Sequence, residues 1–496
     1  MKRAILWLVV LAGCSGAADS AKAPNAEETD GAADTALDVG ALRVDVFPPD
    51  GLGLLPQSHE LRGGAVEGAT FELFPTVTWS GTLEGQVTRG WSGAAEVPYT
   101  VEPLAATFTA SVNGTRLGGS VQSDAAGRFE LPLPAYDEPY DLSIVPLDAD
   151  LAPFHEEERL FEDDTREDIL LPVGLPVYGR VADSSGRGIS HVPMRIVRTD
   201  LDVEVASATF ETDESGWYVT RVEGTGAYAV EVLGGLTERD DPEVVPALRT
   251  EVLVEDPENG AALNIDLGTL ESASARGYVY DADGEEVRDA VVRFTAEALD
   301  GATGELVIET QANSDGYFGL DLLPGTYTIE VIPPYSPVST PRVYVDEVIE
   351  AGSNDLGTRR VDGSATLAGT VVDAPEGSLV VATQVGYGNV YSAKTSGDGR
   401  FSMEVPAGEY VVRVTPADGD AGAMTYRQLA TGDDARFELD PGEPLSGAVT
   451  FEGEAVAYAL YEVYDVASGV LVAQGRTDES GGFAVLVPQV EADTGE

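Results

Sequence analysis

The chain has 496 residues, of which 86 are acidic and 29 are basic, so its formal net charge is -57 at pH 7. A surface this negative repels nucleic-acid phosphates, which excludes a role in scanning or reading DNA or RNA. With three His and one Cys beside 56 Gly and 29 Pro, the chain is poor in catalytic and soft-metal side chains and rich in turn residues. A hydrophobic share of 43% supports packed cores, and the length predicts about three to five domains.

The amino terminus predicts an export signal. Three residues with two basic side chains precede an apolar run, 4–13, that is too short to cross a bilayer of about 30 Å as a helix. The run Leu11, Ala12, Gly13, Cys14 resembles the bacterial lipoprotein lipobox. The resemblance implies cleavage before Cys14, thioether lipidation of Cys14 and acylation of the new amino terminus. A conventional secretory signal that leaves Cys14 free is the alternative.

The resemblance also implies an address. Acyl chains on Cys14 would hold the protein in a leaflet, since each buried methylene contributes about 0.8 kcal/mol. In the lipoprotein family an Asp directly after the Cys retains the protein at the inner membrane, and here that residue is Ser15. We therefore expect a lipid-anchored protein of the bacterial cell envelope, at the outer membrane. Whether it faces the periplasm or the exterior stays open.

Residues 14–40 are dominated by small and acidic side chains and cannot bury a core, so they predict a disordered tether. As a flexible coil, 15–40 would span roughly 28 Å. Residues 41–82 follow with apolar positions at Leu42, Val44 and Val46. This strand-rich extension does not fit the repeat that comes after it, and we expect it to pack on the first repeat.

A turn motif recurs five times along the remaining chain. Each instance has a polar turn, a Gly and then an aromatic residue, with the glycines at 127, 216, 316, 399 and 482, which are 89, 100, 83 and 83 residues apart. Upstream of each turn an apolar strand contains a Gly, namely Gly85, Gly179, Gly277, Gly369 and Gly447. Downstream, alternating runs such as 327–331 and 410–414 predict half-buried strands. Each repeat therefore predicts a small antiparallel β-sandwich.

The residues of the third repeat, 277–327, resemble the carboxypeptidase regulatory-like domain, and 369–414 and 179–232 look like further copies. The resemblance implies a prealbumin-like fold, related to the collagen-adhesin B-type repeats and the starch-binding-like sandwiches. Such modules occur as spacers beside many activities, so the resemblance concerns the fold rather than the function. The zinc catalytic domain that precedes the module in metallocarboxypeptidases is missing here.

The predicted fold class is all-β, with tandem Ig-like or prealbumin-like antiparallel β-sandwiches after a disordered tether. The predicted organisation is 1–13 lipoprotein signal peptide, 14–40 disordered acidic tether, 41–82 strand-rich extension, 83–174 sandwich 1, 175–271 sandwich 2, 272–361 and 362–441 carboxypeptidase regulatory-like sandwiches 3 and 4, and 442–496 partial sandwich 5.

Two copies depart from the pattern. The first has a poor Gly-x-Tyr turn at Pro139 and Tyr140, which leaves its strand register open. The fifth stops after Pro488 without the Gly-x-Tyr strand. In order of preference, the explanations are a truncated gene model, a domain with fewer strands, or a partner strand that completes the open edge.

The candidate chemistry is sparse. His59, His155 and His191 stand too far apart in sequence for a short zinc motif, and Cys14 is assigned to lipid, so we predict no catalytic residue, no metal and no cofactor. Lys394 could at most serve one isopeptide bond, and an exposed strand lysine is the simpler interpretation. Interdomain calcium at one of three acidic pairs stays open, although a hairpin turn explains the first pair without metal: Asp281 and Asp283, Asp418 and Asp420, Asp433 and Asp434.

Exposed aromatic residues could stack on glycans. The candidates are Trp79, Trp91, Trp217 and Tyr335. Trp217 is the best of them because it follows the repeat Gly, at a position where other copies have Arg128, Tyr317 or Arg400.

These features favour a lipid-anchored, non-catalytic envelope protein that acts as a rod-like stalk or an interaction module. Its expected partners are the membrane, through lipidated Cys14, and a protein or glycan at the cell envelope, but not nucleic acid. The alternatives are a carbohydrate-binding surface protein and an accessory protein to a separately encoded peptidase.

Overall fold

The computed structural model describes residues 41–62, 67–87, 99–112, 116–148, 150–201, 204–237, 242–334, 339–418, 421–432, 434–466 and 468–488. Cys14, the predicted signal peptide and the predicted tether therefore lie outside the described residues. The described ranges form strands and turns, and no α-helix occurs in them. They accordingly offer no helix of the length and apolarity that crossing a membrane requires.

The strands fall into five sandwiches. The first three strands in the chain are β1 (Ala41–Phe47), β2 (Gln57–Arg62) and β3 (Ala69–Glu72). The first sandwich follows with β4 (Thr76–Val87), β5 (Thr100–Pro103), β6 (Ala106–Val112), β7 (Arg116–Gln122), β8 (Arg128–Pro134), β9 (Tyr140–Pro146), β10 (Phe154–Arg159) and β11 (Thr165–Leu171). The second has β12 (Leu175–Ala182), β13 (Pro193–Arg198), β14 (Val205–Ala206), β15 (Phe210–Glu211), β16 (Trp217–Val222), β17 (Gly226–Leu236), β18 (Val244–Val254), β19 (Ala261–Ala262) and β20 (Ile265–Asp266).

The remaining strands begin with the third sandwich, which has β21 (Ala273–Tyr280), β22 (Val291–Leu299), β23 (Val307–Gln311), β24 (Tyr317–Leu322), β25 (Gly325–Ile332), β27 (Arg342–Ile349) and β28 (Gly352–Arg360). The short strand β26 (Ser339–Thr340) lies between β25 and β27 in sequence but pairs with the first strand of the fourth sandwich. The fourth has β29 (Asp362–Val372), β30 (Leu379–Gln384), β31 (Val390–Lys394), β32 (Arg400–Pro406), β33 (Glu409–Thr415), β34 (Thr425–Ala430) and β35 (Asp434–Glu438). The last strands are β36 (Glu443–Phe451), β37 (Glu454–Ala455), β38 (Leu460–Asp465), β39 (Leu471–Arg476) and β40 (Gly482–Val487).

All five sandwiches share one order of seven strand positions, which we letter A to G. In the third sandwich, β24, β21 and β28 form the D-A-G sheet, and β23, β22, β25 and β27 form the C-B-E-F sheet. Strand G pairs with strand A in parallel, and the other pairs are antiparallel. The predicted all-β, prealbumin-like sandwich fold is thus confirmed in the described residues, with one parallel pair per sandwich that the sequence did not indicate.

The fifth sandwich is completed by the amino-terminal strands. Positions A to D are β36, β38, β39 and β40, while β1 pairs with β38 as strand E and β2 pairs with β1 as strand F. Strand G is β3, which lies parallel to β36. We call this domain, residues 41–72 and 443–487, the closing sandwich.

The predictions of a separate extension at 41–82 and of a partial sandwich at 442–496 are wrong, because β1 to β3 are strands of the last sandwich. The expected contact with the first sandwich does occur, through Ser58 on β2. Only β4, which begins at Thr76, belongs to the first sandwich. The last sandwich contains the first three described strands, so the five sandwiches do not all come from contiguous segments of the chain. Of the three explanations for the missing strand, an added strand fits, and it comes from the same chain.

The repeat position on strand A requires Gly because an aromatic ring and the neighbouring strand G leave no room for a side chain. A Cβ at Gly277 would lie 2.8 Å from the Phe318 ring and 2.7 Å from the Gly357 carbonyl oxygen. In the first sandwich the equivalent residue is Gly81, which pairs with Phe129, and not the predicted Gly85.

The turn Gly before strand D adopts a left-handed conformation in every copy. Its φ is between 69° and 82° at Gly127, Gly216, Gly316, Gly399 and Gly481. The fifth turn Gly is thus Gly481 and not the predicted Gly482. In each copy the carbonyl of this Gly accepts a hydrogen bond from the N–H of the residue two positions after the repeat Gly on strand A. In the third copy, the Val279 N–H donates to the Gly316 carbonyl at 2.8 Å.

Strand E carries a buried tyrosine in four copies. Tyr327 and Tyr410 donate to backbone carbonyls four residues earlier, at 2.6 and 2.7 Å. Tyr140 is fully buried and donates to the carbonyl of Pro134 at 2.6 Å, so the poor turn signal in the first copy conceals the same arrangement. Strand β1 has no tyrosine.

Candidate functional site

The core of the closing sandwich joins the two ends of the described chain. Leu42, Val44 and Val46 on β1 are fully buried, in one cluster with Val463 of β38. Three aromatic rings from different strands complete the contact, with Phe71 on β3 lying 5.5 Å from Phe483, which lies 4.6 Å from Tyr461 between ring centroids.

A buried polar cluster lies where the closing sandwich meets the first sandwich. Ser58 of β2 donates from its hydroxyl to Asp45 Oδ1 at 2.6 Å, and its N–H donates to the Tyr136 hydroxyl at 3.1 Å. The N–H of Leu117 on β7 donates to Ser58 Oγ at 3.1 Å, and the Tyr136 hydroxyl donates to the Leu117 carbonyl at 3.3 Å. We call Asp45, Ser58, Leu117 and Tyr136 the polar seam. It fixes β2 to the first sandwich through satisfied, buried groups.

Asp45 is the one acid of the seam, and it is only 3% exposed. Burial raises the pKa of its carboxyl group, and the Ser58 hydroxyl and the Arg43 guanidinium oppose that rise. Arg43 lies 3.0 Å from Asp45 Oδ1, and it also stacks over the Tyr464 ring at 4.8 Å. The charge of Asp45 is thus partly compensated within the sheet.

A second contact holds the end of the amino-terminal segment. The Gln57 side chain donates to the Phe74 carbonyl at 2.7 Å and accepts from the Phe74 N–H at 2.8 Å. Gln57 is fully buried, so this paired contact fixes the three-residue connection 73–75 between β3 and β4.

Contacts also join the other consecutive sandwiches. Phe154 and His155 of the first line a small cavity together with Glu223 and Tyr228 of the second. The second and third share paired backbone bonds between Ala247 and Glu305, at 2.6 and 2.8 Å.

In the third and fourth sandwiches, Tyr387 donates to Glu330 at 2.6 Å. Tyr426 of the fourth donates to the carbonyl of Leu471 in the closing sandwich. Together with the polar seam, these contacts connect the closing sandwich to both of its chain neighbours.

The predicted aromatic candidates separate into buried and exposed residues. Trp79 is only 2% exposed and packs against Phe108 and Phe129, so the prediction that it could stack on a glycan is wrong. Trp91 and Tyr335 lie outside the described residues. Trp217 is 51% exposed at the start of β16, and its backbone N–H donates to Asp213 Oδ1 at 2.9 Å.

The structure adds a face that the sequence prediction missed. Tyr278 and Tyr280 alternate on strand A of the third sandwich, and Tyr317 on strand D lies directly opposite Tyr278. The Tyr278 ring is 5.5 Å from the Tyr317 ring and 6.5 Å from the Tyr280 ring. We call these three residues the tyrosine face. The period-2 pattern of Tyr278 and Tyr280 was the available signal.

The remaining candidates have ordinary structural surroundings. His191 lies 3.0 Å from Glu211 and 3.5 Å from Glu214, and the hydrogen bonds to these two carboxylates raise its pKa. Asp281 accepts from the N–H groups of Asp283 and Glu285, as a hairpin turn requires. Lys394 is exposed on β31.

Within the described part of the chain, no three His, Cys, Asp or Glu side chains come together as a metal-binding group. Of the other predicted acidic pairs, Asp420 and Asp433 lie outside the described residues.

Comparisons with known proteins give structures only. No protein-family model matches the chain, and no curated protein matches it either. A streptococcal ancillary pilin is 11% identical with a TM-score of 0.23, covering 54% of this chain and 99% of its own. A minor pilin of Streptococcus agalactiae is 13% identical with a TM-score of 0.21, covering 38% and 96%. The TIE protein of Bacillus anthracis is 12% identical with a TM-score of 0.17, covering 74% and 73%. At these scores we take the fold from the strand order above and infer no function from these neighbours.

Proposed function

We propose that the protein is a lipid-anchored, non-catalytic interaction module of the bacterial cell envelope, held at the outer membrane through Cys14. Its described residues form five sandwiches with filled cores, and each sandwich repeats one strand order. The membrane is one partner, and a protein or glycan of the envelope is the other.

The observation that carries the proposal is the position of β1. This strand begins at Ala41, directly after the predicted tether, and it lies between β2 and β38 in the closing sandwich. In an open series, an anchor at one end leaves a free sandwich at the other, which is the design of a stalk. Here the first strand after the predicted tether belongs to the same sandwich as β36 and β38 to β40, so the two ends of the described chain meet in one domain. We therefore favour an interaction module over a stalk.

The mass of the mature amino terminus in the native host tests the anchor. An acylated Cys14 after loss of residues 1–13 is the expected result, and a Cys14→Ser variant serves as the matched control that should stay unlipidated. Protease treatment of intact cells in the same preparation tests the location. Shaving of the sandwiches from intact cells places them outside. An unmodified Cys14 contradicts the lipid anchor, and sandwiches that stay protected until the cells are opened place them on the periplasmic side.

Glycan binding is a second candidate, because the tyrosine face and Trp217 both present exposed rings on strands A and D of their sandwiches. Aromatic rings stack on sugar faces, and Tyr278 and Tyr317 are 44% and 37% exposed.

The test measures retention on insoluble envelope polysaccharide for Tyr278→Ala, Trp217→Ala and, as the matched control, Tyr458→Ala. Tyr458 is 53% exposed and belongs to the closing sandwich, a different domain from either site. Loss of retention in the first two variants alone supports glycan binding, and equal retention in all three contradicts it.

A further inference from the structure

We propose that the closing sandwich is a strand-exchange site, in which residues 41–72 of one copy complete the strands β36 and β38 to β40 of a second copy. The partner is thus another molecule of this chain. The proposal goes beyond membrane anchoring and does not depend on lipidation of Cys14.

The carboxyl-terminal half of the closing sandwich cannot bury its own core. Without β1 to β3 it keeps only the pairs β38 with β39 and β36 with β40, apart from the two-residue β37. Leu445, Val449 and Val463 are fully buried in the complete domain and would lose their cover. Sheets of two strands are only marginally stable in water, and an uncovered apolar face of this kind favours binding to another surface.

The amino-terminal half also has apolar side chains that only the other half covers. Leu42, Val44 and Val46 line one side of β1, and Phe71 lies on β3 at 2% exposure. In isolation this segment would expose all four side chains. Each half therefore has to find the other half, but nothing in the pairing requires both halves to belong to one molecule.

The two halves are joined only through the whole stretch 73–442, which contains four other sandwiches. A closed molecule and an exchanged pair make the same strand contacts, so their balance depends on the junctions between sandwiches and on protein concentration. Exchange between identical chains is a low-cost route to assembly for this reason.

Side-chain contacts specify this segment rather than an unrelated strand. The Thr450 hydroxyl on β36 donates to the carboxylate of Glu72, its paired residue on β3. The Gly68 N–H donates to Ser446 Oγ at 3.2 Å. A Cβ at Gly447 would meet the Ala69 carbonyl oxygen at 2.6 Å, so the acceptor strand is shaped for close approach of β3. The occupant that fits is thus a second copy of residues 41–72.

The polar seam determines what is exchanged. Because Ser58 binds Tyr136 and Gln57 binds Phe74, the segment stays fixed to the first sandwich when it leaves its own β36 and β38. On the other side, Tyr426 fixes the acceptor strands to the fourth sandwich. Exchange therefore links the first sandwich of one copy to the fourth sandwich of another.

Cysteine pairs across strands A and G test the proposal. Thr70 on β3 and Ala448 on β36 are paired residues. Two full-length, differently tagged chains that carry Thr70→Cys and Ala448→Cys are co-expressed, and whole cells are oxidised mildly before lysis. Exchange predicts a disulfide-linked species with both tags and about twice the chain mass. Copies without substitutions show whether native Cys14 contributes to cross-links.

The matched control lies in the contiguous third sandwich. Ser274 and Ser353 are paired residues of its A and G strands, with one half-buried and one exposed side chain. Co-expressed Ser274→Cys and Ser353→Cys chains should give no linked species, because this sandwich is complete within one segment.

A double variant, Thr70→Cys with Ala448→Cys in one chain, establishes that the pair can form a disulfide in the folded protein. If the double variant oxidises while the mixed single variants give no more linked species than the Ser274 and Ser353 mixture, the proposal is overturned. Linkage of the Ala448→Cys chain to a protein other than the tagged copy overturns it as well. Doubly tagged species above the control confirm it.

Discussion

The third sandwich and the closing sandwich have the same strand order, but the third is contiguous in sequence and the closing sandwich is built from two distant segments. Strands A to G of the third follow one another in sequence within 273–360, whereas the closing sandwich takes A to D from 443–487 and E to G from 41–72. Turn glycines 316 and 481 have φ of 69° and 73°, so the local geometry is the same. The comparison teaches that the sandwich depends on which strands meet and not on the order in which the chain supplies them.

The difference has a consequence for folding. In the third sandwich, paired strands such as β22 with β23 are close in sequence, so local contacts can form before distant ones. In the closing sandwich, β1 meets β38 only when the two ends of the described chain come together. Pairing over long sequence distances is slow, so we expect the closing sandwich to complete last.

The largest effect is expected for a side chain added between strands A and G. Gly447→Val would place a Cβ 2.6 Å from the Ala69 carbonyl oxygen, and Gly277→Val would place one 2.7 Å from the Gly357 carbonyl oxygen. Each should cost about 3 kcal/mol through overpacking. Hydrogen exchange should rise throughout 41–72 in Gly447→Val and in 352–360 in Gly277→Val. Continued protection of β3 in Gly447→Val would contradict the assignment of β3 as strand G.

Cavities in the two strands E should come next. Leu42 on β1 and Ile329 on β25 are both fully buried, and replacing either by Ala should cost about 2–5 kcal/mol. In Leu42→Ala, exchange should increase together in 41–72 and 443–487, because both form one core. Ile329→Ala is the matched control and should affect 273–360 alone. An effect of Leu42→Ala that stays in 41–72 would show that the two segments are not one domain.

The polar seam should contribute less. Tyr136→Phe leaves the buried N–H of Ser58 without the tyrosine hydroxyl, at a cost of about 1–2 kcal/mol. Exchange at Ser58 and Leu117 should increase, since both depend on the seam. Tyr327→Phe removes a bond to the Leu323 carbonyl, and its effect should remain in the third sandwich. Unchanged exchange at Ser58 would show that the seam does not hold β2.

The smallest effect should be a pH dependence of the closing sandwich. Burial raises the pKa of Asp45, so the folded state binds this proton more tightly than the unfolded chain does. The stabilisation is complete below the unfolded pKa and is lost as pH rises through the folded pKa. Glu462 raises this pKa further, while Arg43 and Ser58 oppose it.

Asp45→Asn should therefore flatten the loss of closing-sandwich stability as pH rises above about 4. The difference between wild type and variant is the quantity to measure, because other acids titrate in the opposite direction. One of them is Asp183, whose pKa is lowered to about 2: burial opposes this shift, but bonds from Ser185 and Arg187 outweigh it. An equal pH slope in both proteins would contradict the role of Asp45.

The repeat and its fold could be predicted because the signals are local. A turn Gly with φ near 75° recurs in each copy, and an Asp or Asn three residues before it caps the turn in four of the five, as at Asp213 and Asn313. The register of the first copy was missed because Gly85 imitates the repeat Gly. A Cβ there would meet the flexible Leu104 side chain, whereas Gly81 faces the backbone of Glu167.

The role of β1 could not be predicted for a different reason. In the contiguous copies, strand E follows a turn from strand D and carries the buried tyrosine, as at Tyr327 and Tyr410. Strand β1 follows no strand D, so it needs neither the turn nor the tyrosine. Its alternation at Leu42 and Val44 indicates a strand with one buried side but does not identify the partner.

The sequence by itself determined the sandwich fold, the position of most turns and the residues of the cores, because strand period and turn conformation depend on neighbours in the chain. Only the tertiary structure decided that 41–72 completes the last sandwich, that Trp79 is buried, and that Tyr278 and Tyr317 share a face. These outcomes depend on pairing between residues that are distant in sequence. A period of two fixes the side of a sheet that a residue occupies, but it does not fix which strand lies beside it.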